Sequence, residues 1–554
     1  MQYQLAEKNK RKRAIVGPLL VIMDNNKISF PTIGEFVREI FNISGVMAQK
    51  DGGNSILTDS DKKRLQTKLK RLADESSKID GKLEELLNLL GKILINNLKD
   101  ERFVWVLLSS VEDVLETYKA VLRDDGTYLN KTKSSEWFIK TYALDRFMKS
   151  LYKNYLRYNL DASKLDIPPL VNWAIPQFED AQIFMPLRNA WKLIYGSLAL
   201  SQSSFHYPDK DIEDFKASRN LENAQHWCST DQIPSISSLF SNLEYSIERL
   251  KVTQNEDARR QLSDTQIMRL KVILFIGRGA SYCVREIDKH FGRECLVKCI
   301  SHIKSQSNRL RRISRMLINR INELKHTYQL TQQAELDGLY CRETEHFWLG
   351  YADYVVNGSN YLQKFLNDGS FSTLSDFQKA KLAIRCIGPF EAYAGFANQV
   401  FEPDVKKIPS QFTEFLHKGL LLKRNPKSLA EIDEYVAKLE AAGLKQILSW
   451  MPDWCYANYY YHQKAFDKSH EHYRQAFIKA KYSAGKNQYL LVNQYIEASA
   501  KNKSFKEMKQ AVAWAQYLGI KVRWLRGWED PESDESLQDL YDLMGNPKIL
   551  YANV

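Results

Sequence analysis

The sequence predicts a mostly α, multi-domain helical protein with a helical array near its C-terminal end and a small N-terminal β-hairpin. Glycine (24) and proline (15) are scarce in a chain of 554 residues, whereas proteins built from many strands and turns need both. Apolar residues recur at helical spacing, most continuously from 429 to 519. Near the N-terminus, two short strands are predicted around the turn Asp24-Asn25-Asn26, within residues 14–30.

Helical patterns follow one another along most of the remaining chain. Within 60–98, for example, Leu83, Leu86, Leu87 and Leu90 share one helix face. Residues 291–326 form one long basic pattern with a single apolar stripe. The other predicted helical segments are 101–123, 135–158, 186–205, 232–252, 343–366, 373–400 and 429–519.

Two proline-containing stretches suggest domain joints, at 166–180 and at 424–428. The sequence then divides into an N-terminal helical domain with the small hairpin (1–165) and a middle helical domain that contains the basic helix (166–425). Helical repeats occupy 426–528. An acidic segment and tail (529–554) follow, with seven Asp or Glu between 529 and 542.

Cysteine usage and hydropathy predict a cytoplasmic protein without membrane insertion. The seven cysteines are odd in number and irregularly spaced, which argues against a disulfide framework. No apolar run reaches the roughly 18 residues that a membrane helix needs. The basic residues 8–13 before an apolar run imitate a signal peptide, but Gly17-Pro18 interrupts that run.

The stretch VILFIGRGASYCVREI (272–287) places glycines between an apolar run and a helical pattern. It resembles the phosphosugar-binding loop of sugar isomerase (SIS-type) domains, which would bring Gly279 and Ser281 to a phosphate. The further strands that such a fold needs are not found downstream. We therefore favour a helix, a break at Gly277-Arg278-Gly279 and a second helix.

The same region contains residue types that bind zinc: Cys283, His290, Cys295, Cys299 and His302. On a helix, Cys295, Cys299 and His302 share one face. Zinc ligands usually come together through tight turns, however, and a free cysteine commonly behaves as a small buried hydrophobe. We predict no metal and no cofactor.

Two Arg–His pairs, Arg285–His290 and Arg219–His226, resemble the Arg-x(4–6)-His signature of HEPN-type ribonucleases. The resemblance implies that His acts as a general acid–base and that Arg stabilises charge at an RNA phosphate. A chain with ten histidines and many arginines produces such pairs by chance. An RNase is kept as the alternative function, and other familiar catalytic motifs are absent from the sequence.

The segment 458–481 (NYYYHQKAFDKSHEHYRQAFIKAK) carries small and large residues in alternation. This pattern resembles a tetratricopeptide (TPR) repeat, in which small residues sit where two helices cross. Ala457, Ser469 and Ala476 match the small positions, and Tyr460, Phe466 and Tyr473 the large ones. A looser copy follows at a spacing longer than the family's roughly 34 residues. The resemblance implies a protein-binding array; the alternative is a generic helical hairpin.

Positive charge is concentrated in two segments of a chain whose net charge is +12. Nine Lys or Arg face two Asp or Glu in 291–326, and 13 face four in 456–528. Basic residues next to tryptophan are compatible with contacts to DNA or RNA, and a solvated surface is the alternative. The candidates are Lys304, Arg309, Arg312, Arg315, Arg320, Lys521, Arg523, Trp524 and Arg526.

The segment RETEHFWLGYADYV (342–355) resembles the Phe-Trp-x-x-Tyr segment of EH-signature proteins, helical components of bacterial conflict systems such as Zorya. Glu391 and His417 are candidates for that family's Glu and His. The resemblance implies a role in a multi-component anti-phage defence assembly. Together these patterns predict a non-enzymatic binding or scaffold protein with protein partners and basic surfaces for nucleic acid.

Overall fold

The computed structural model describes residues 28–47, 57, 59–73, 79–158, 170–179, 182–200, 202, 221–222, 224–228, 232–253, 262–332, 335, 338–339, 411–523 and 533–545. Within them the prediction of a mostly α protein is confirmed. The strands that these residues contain, β1 (Gln177–Glu179) and β2 (Gln182–Phe184), pair antiparallel with Phe178 opposite Ile183. Residues 14–27 of the expected N-terminal hairpin lie outside the described residues.

The N-terminal and middle parts consist of helices whose first residues often follow a capping side chain. Thr32 and Glu35 form a reciprocal capping box at the start of α1, as do Ser263 and Gln266 at α10. These helices are α1 (Ile33–Ser44), α2 (Asp59–Ala73), α3 (Ile79–Leu98), α4 (Glu101–Asp124), α5 (Lys131–Phe138), α6 (Leu144–Tyr158), α7 (Leu170–Trp173), α8 (Pro186–Leu198), α9 (Ile236–Thr253), α10 (Asp264–Phe291) and α11 (Arg293–Thr327).

The C-terminal part is an array of helices in which consecutive members pack against each other. Its helices are α12 (Phe412–Arg424), α13 (Leu429–Ala441), α14 (Trp450–His462), α15 (Phe466–Ala480), α16 (Gln488–Lys501), α17 (Phe505–Tyr517) and α18 (Asp534–Gly545). The last helix packs Leu537, Leu540 and Met544 inward, and its acidic residues Glu535, Asp539 and Asp542 are exposed. A terminal helix with a polar outer face is what an array needs where its repeats end.

Helix α10 runs through Gly277 and Gly279 without interruption, so the predicted break at Gly277-Arg278-Gly279 is wrong. A Cβ atom at Gly277 would lie 2.7 Å from the Cβ of Ala190, and one at Gly279 would lie 3.4 Å from the Ile43 carbonyl oxygen. Gly277 therefore lets α8 approach α10 closely, whereas a Cβ at Gly279 would make ordinary van der Waals contact with the end of α1. Glycine costs a helix about 1 kcal/mol relative to alanine, and this close packing offsets that cost.

Backbone contacts join the N-terminal part to the array at three short segments, which we call the latch: 28–30, 126–130 and 482–485. The Phe30 N–H donates to the Tyr482 carbonyl (2.8 Å), and the Thr127 N–H donates to the Ser483 carbonyl (2.9 Å). Gly126 also forms a bridge with Ala484. One large hydrophobic core extends across this junction, from Phe30 to Met544.

Helix packing also crosses the predicted joint at 424–428, because α12 packs against α14 on the other side of it. The domain boundaries drawn from the sequence remain predictions. None of the described helices is both long enough and apolar enough to span a bilayer.

Candidate functional site in the C-terminal helical array

The residues that the sequence assigned to repeat packing lie at the crossing of α14 and α15. Ala457, Ser469, Tyr473 and Ala476 are buried. The Ser469 hydroxyl donates a hydrogen bond to the Ala457 carbonyl across the crossing (2.8 Å), a contact that only small residues allow. The other two lie at the edge: Tyr460 stacks on His472 (ring centroids 5.5 Å), and Phe466 packs on Tyr461 (5.6 Å).

Polar side chains connect α14 with α16, where apolar ones would be enough to pack the helices. The Trp454 indole N–H donates to Gln494 Oε1 (2.6 Å), and Gln494 Nε2 donates to Asn458 Oδ1 (3.3 Å). One turn further along, the Tyr461 hydroxyl donates to Glu497 Oε1 (2.5 Å). We call these five side chains the polar seam. All except Tyr461 are buried.

Burial raises the pKa of the Glu497 carboxyl in this seam to about 7. The Tyr461 hydroxyl and the positive charges of Lys501 and Arg523 oppose that rise. The Lys501 ammonium remains 3.9 Å from the carboxylate. The protonation of Glu497 therefore changes close to neutral pH.

Lys423, at the end of α12, is the second perturbed group at this place. Only 8% of the residue is exposed, and Nζ lies 4.3 Å from the centroid of the Trp454 ring. Burial, together with the like charges of Arg424 and Arg523, lowers the pKa of this ammonium to about 8. Among the described residues, no carboxylate and no hydrogen-bond acceptor pairs with Lys423 Nζ. Perturbed titratable groups of this kind concentrate at functional sites.

Two of the basic residues predicted to contact nucleic acid lie next to this site. Asn493 accepts from the Arg523 N–H (2.9 Å) and donates to the Lys521 carbonyl (3.1 Å), so it fixes the chain after α17 against α16. Both side chains are exposed. Trp524 and Arg526 lie outside the described residues.

The second basic segment forms α11, whose predicted range of 291–326 agrees closely with the observed Arg293–Thr327. Lys304 is exposed on this helix. The side chains of Arg309, Arg312, Arg315 and Arg320 lie outside the described part of the chain. The proposed nucleic-acid contact of this helix therefore remains a prediction.

The Arg285–His290 pair of the ribonuclease alternative is held by a carboxylate. Arg285 Nε donates to Glu286 Oε1 (3.0 Å), and His290 Nε2 lies 3.1 Å from Glu286 Oε2. Burial lowers the pKa of His290 even though Glu286 opposes that shift. The negative charge of Glu286 thus compensates the positive charge that a phosphate site would need. In the second pair, His226 is exposed and Arg219 lies outside the described residues.

The phosphate-loop interpretation of 272–287 is wrong, because residues 272–276 belong to the interior of α10 and not to a strand. Ser281 instead ties two helices together. Its hydroxyl donates to the Gly277 carbonyl (2.7 Å) and accepts from the Leu187 N–H at the start of α8 (2.9 Å). Gly279 lies against α1, as described above.

Cys295 and Cys299 are buried side by side on α11, and the thiol of Cys299 hydrogen-bonds to Cys295 and lowers the pKa of Cys295. His302 lies next to α6, with its Nε2 3.9 Å from Asp145 Oδ1. Within the described ranges, no group of three or more His, Cys, Asp or Glu could hold a metal ion. Elemental analysis remains the test of the prediction that the chain binds no metal.

Comparison with known proteins gives no match to this chain among family models, curated proteins or solved structures. Of the residues tied to EH-signature proteins, His417 is exposed on α12, whereas 342–355 and Glu391 lie outside the described residues.

Proposed function

We propose that the chain is a non-enzymatic binding or scaffold protein whose C-terminal array is TPR-like and holds a segment of a protein partner. The observation that carries this proposal is the polar seam together with the Lys423 ammonium, which lies over the Trp454 ring without a described hydrogen-bond partner. Arrays of helix pairs characteristically bind partners along the surface that their repeats share.

Energetic cost supports a role for the seam beyond filling the space between helices. Burying a carboxyl group costs free energy unless its oxygens are hydrogen-bonded, and replacing both members of a buried polar pair by apolar residues of the same shape can be neutral or stabilising. The array already has an apolar core at the α14–α15 crossing, formed by residues such as Ala457, Tyr473 and Ala476. Because these polar groups are buried and bond to one another, we expect them to fix the position of α16 on α14 and so to shape the surface on which the partner segment lies.

We also propose a wider role for the chain as part of an assembly. A scaffold with a basic array and a basic helix suits a multi-component assembly that contains DNA or RNA, with anti-phage defence as the candidate setting. For the ribonuclease alternative, the geometry offers no favourable observation, because Glu286 binds both Arg285 and His290.

A displayed random-peptide library, selected on the immobilised full chain, tests the proposal. We expect enriched peptides that share a sequence pattern and bind the free chain with a Kd in roughly the micromolar range. If the enriched pool contains no peptide that binds in solution more tightly than about 1 mM, the array is not a peptide-binding module. A fluorogenic RNA assay of the same preparation, with Arg285→Ala as the control, tests the alternative.

A further inference from the structure

We propose that the Lys423 ammonium is the anchor point for a carboxylate of an acidic peptide that binds to the array. This inference rests on the proposed function and names the chemical class of the partner segment. It assigns a ligand contact to a residue that the sequence did not single out, at the end of α12.

The Lys423 ammonium lacks a hydrogen-bond acceptor among the described residues. Lys423 is more than nine-tenths buried, and the face of the Trp454 ring lies on one side of its Nζ at 4.3 Å. A ring face stabilises an ammonium only in part. The ammonium has three N–H donors, and no described residue accepts from them. An external anion would provide the missing acceptor and the missing charge.

The charged groups that act on Lys423 are themselves positive. Arg424 and Arg523 lie near enough to Lys423 to disfavour its charged form, and no carboxylate acts on it in the opposite direction. Glu497 belongs to the same face of the array, but its own contacts are Tyr461, Lys501 and Arg523. The Lys423 ammonium is therefore complementary to an acidic ligand and unfavourable for a basic one.

Access to Lys423 decides between a peptide and a nucleic acid. Lys423 is 8% exposed and Trp454 is 1% exposed, so only a small part of either residue is open to a ligand. The carboxylate of an Asp or Glu side chain reaches out from an extended peptide on a slender stem. A phosphodiester lies within the sugar–phosphate backbone and cannot enter without bringing its sugars along. The single ammonium also lacks the fork with which arginine binds a phosphate through two hydrogen bonds.

The test uses the full chain and three probes of similar size: a fluorescein-labelled oligoglutamate peptide, the matching oligolysine peptide and a single-stranded oligothymidylate. We expect oligoglutamate to bind at low salt and Lys423→Met to weaken that binding by about tenfold or more. The matched control is Lys418→Met. Lys418 lies on the same helix, but it is exposed and already pairs with Glu414 (2.5 Å), so binding should change by less than about twofold.

A second readout on the wild-type chain does not depend on the folding of a variant. Trace acetylation with acetic anhydride, followed by mass spectrometry of the digest, reports how readily each lysine amine reacts. Bound oligoglutamate should slow acetylation of Lys423 by about threefold or more and leave that of Lys418 unchanged, because a paired ammonium holds its proton and is covered. Inorganic phosphate at the same ionic strength serves as the free-anion arm.

The outcomes separate the two proposals. If library-selected peptides bind but neither Lys423→Met nor acetylation responds, the carboxylate anchor is wrong and the peptide-binding function stands. If no peptide binds at all, the proposed function fails first. If the oligothymidylate or free phosphate protects Lys423 as well as oligoglutamate does, the site takes phosphate, and the assignment to an acidic peptide is overturned.

Discussion

A Cβ atom at Gly485 would lie 2.4 Å from the backbone nitrogen of Gly126. Position 485 also has φ of +53°, in the left-handed region. The latch between the N-terminal part and the array therefore depends on two glycine backbones in contact, 359 positions apart in the sequence. This contact would be lost if either part moved away from the other. The latch therefore fixes the position of the array relative to the N-terminal part.

Gly485→Ala should destabilise the protein by about 3 kcal/mol or more, because it combines left-handed strain with a clash against backbone. The matched control is Gly443→Ala, whose φ is +69° but whose added methyl group would meet nothing within 4 Å. That control should cost only about 1 kcal/mol. Urea unfolding of both variants measures the difference, and equal losses would show that the Gly126 contact contributes nothing.

Ala476→Arg should disrupt the array, since Ala476 is fully buried where α15 crosses α14. Placing a charge there without a partner costs several kcal/mol, on the order of 3–5. Ile478→Arg lies two residues away at a position that is 54% exposed, and it should be nearly neutral. A thermal melt in which both variants match the wild type would refute the helix crossing on which the TPR-like interpretation depends.

We expect the stability of the protein to depend on pH through the Glu497 carboxyl. Its folded pKa of about 7 lies above the ordinary value of 4.5, so the folded state binds the extra proton between these two values. Stability from this group is fully present below about pH 4.5 and is lost as the pH rises through about 7. Between about pH 5 and pH 7.5 the loss is on the order of 2–3 kcal/mol.

Glu497→Gln should remove this contribution, and the remaining titrating groups are shared by both proteins. The free energy of unfolding of the wild type, relative to the variant, should therefore fall between about pH 5 and about pH 7.5. Parallel pH profiles for the two proteins would mean that Glu497 titrates as an ordinary carboxyl group.

We expect the basic helix α11 to bind nucleic acid in a salt-dependent way. Each Lys or Arg that contacts a phosphate releases a counterion, so replacing Arg309, Arg312 and Arg315 by Gln should reduce the log–log salt slope of binding by about three. Trp524→Ala should lower affinity by about 1–3 kcal/mol per stacked base with little change of slope. Fluorescence anisotropy with short DNA and RNA at several salt concentrations measures both. An absence of binding at low salt would leave the basic segments as solvated surface.

Periodicity was sufficient to predict the helical fold and the bounds of its strongest elements. The amphipathic stripe of 291–326 became α11 almost residue for residue, and the small residues Ala457, Ser469 and Ala476 lie at a helix crossing as expected. These features depend on local spacing, which a sequence displays directly.

Features that depend on tertiary packing were predicted wrongly from the sequence or were not predicted. Gly277 and Gly279 suggest a break because nothing in the sequence reveals that α8 needs the space of the side chain that is missing at Gly277. Strand β1 falls in the proline-containing stretch 166–180, which suggests a joint between domains, and β2 follows shortly after it. Lys423 follows three leucines at the end of a helix, where a lysine is ordinarily solvated. Only its position against Trp454 distinguishes it.

Calorimetric titration of the full chain with a library-selected peptide tests most directly whether the polar seam contributes to ligand binding. Asn458→Leu/Gln494→Leu fills the seam with apolar side chains of similar size, and the control Gln463→Leu/Gln475→Leu changes less buried amides nearby. We predict one peptide per chain, a loss of about tenfold or more in affinity for the seam variant and less than about twofold for the control. Equal affinities for all three proteins would contradict a role of the seam in binding.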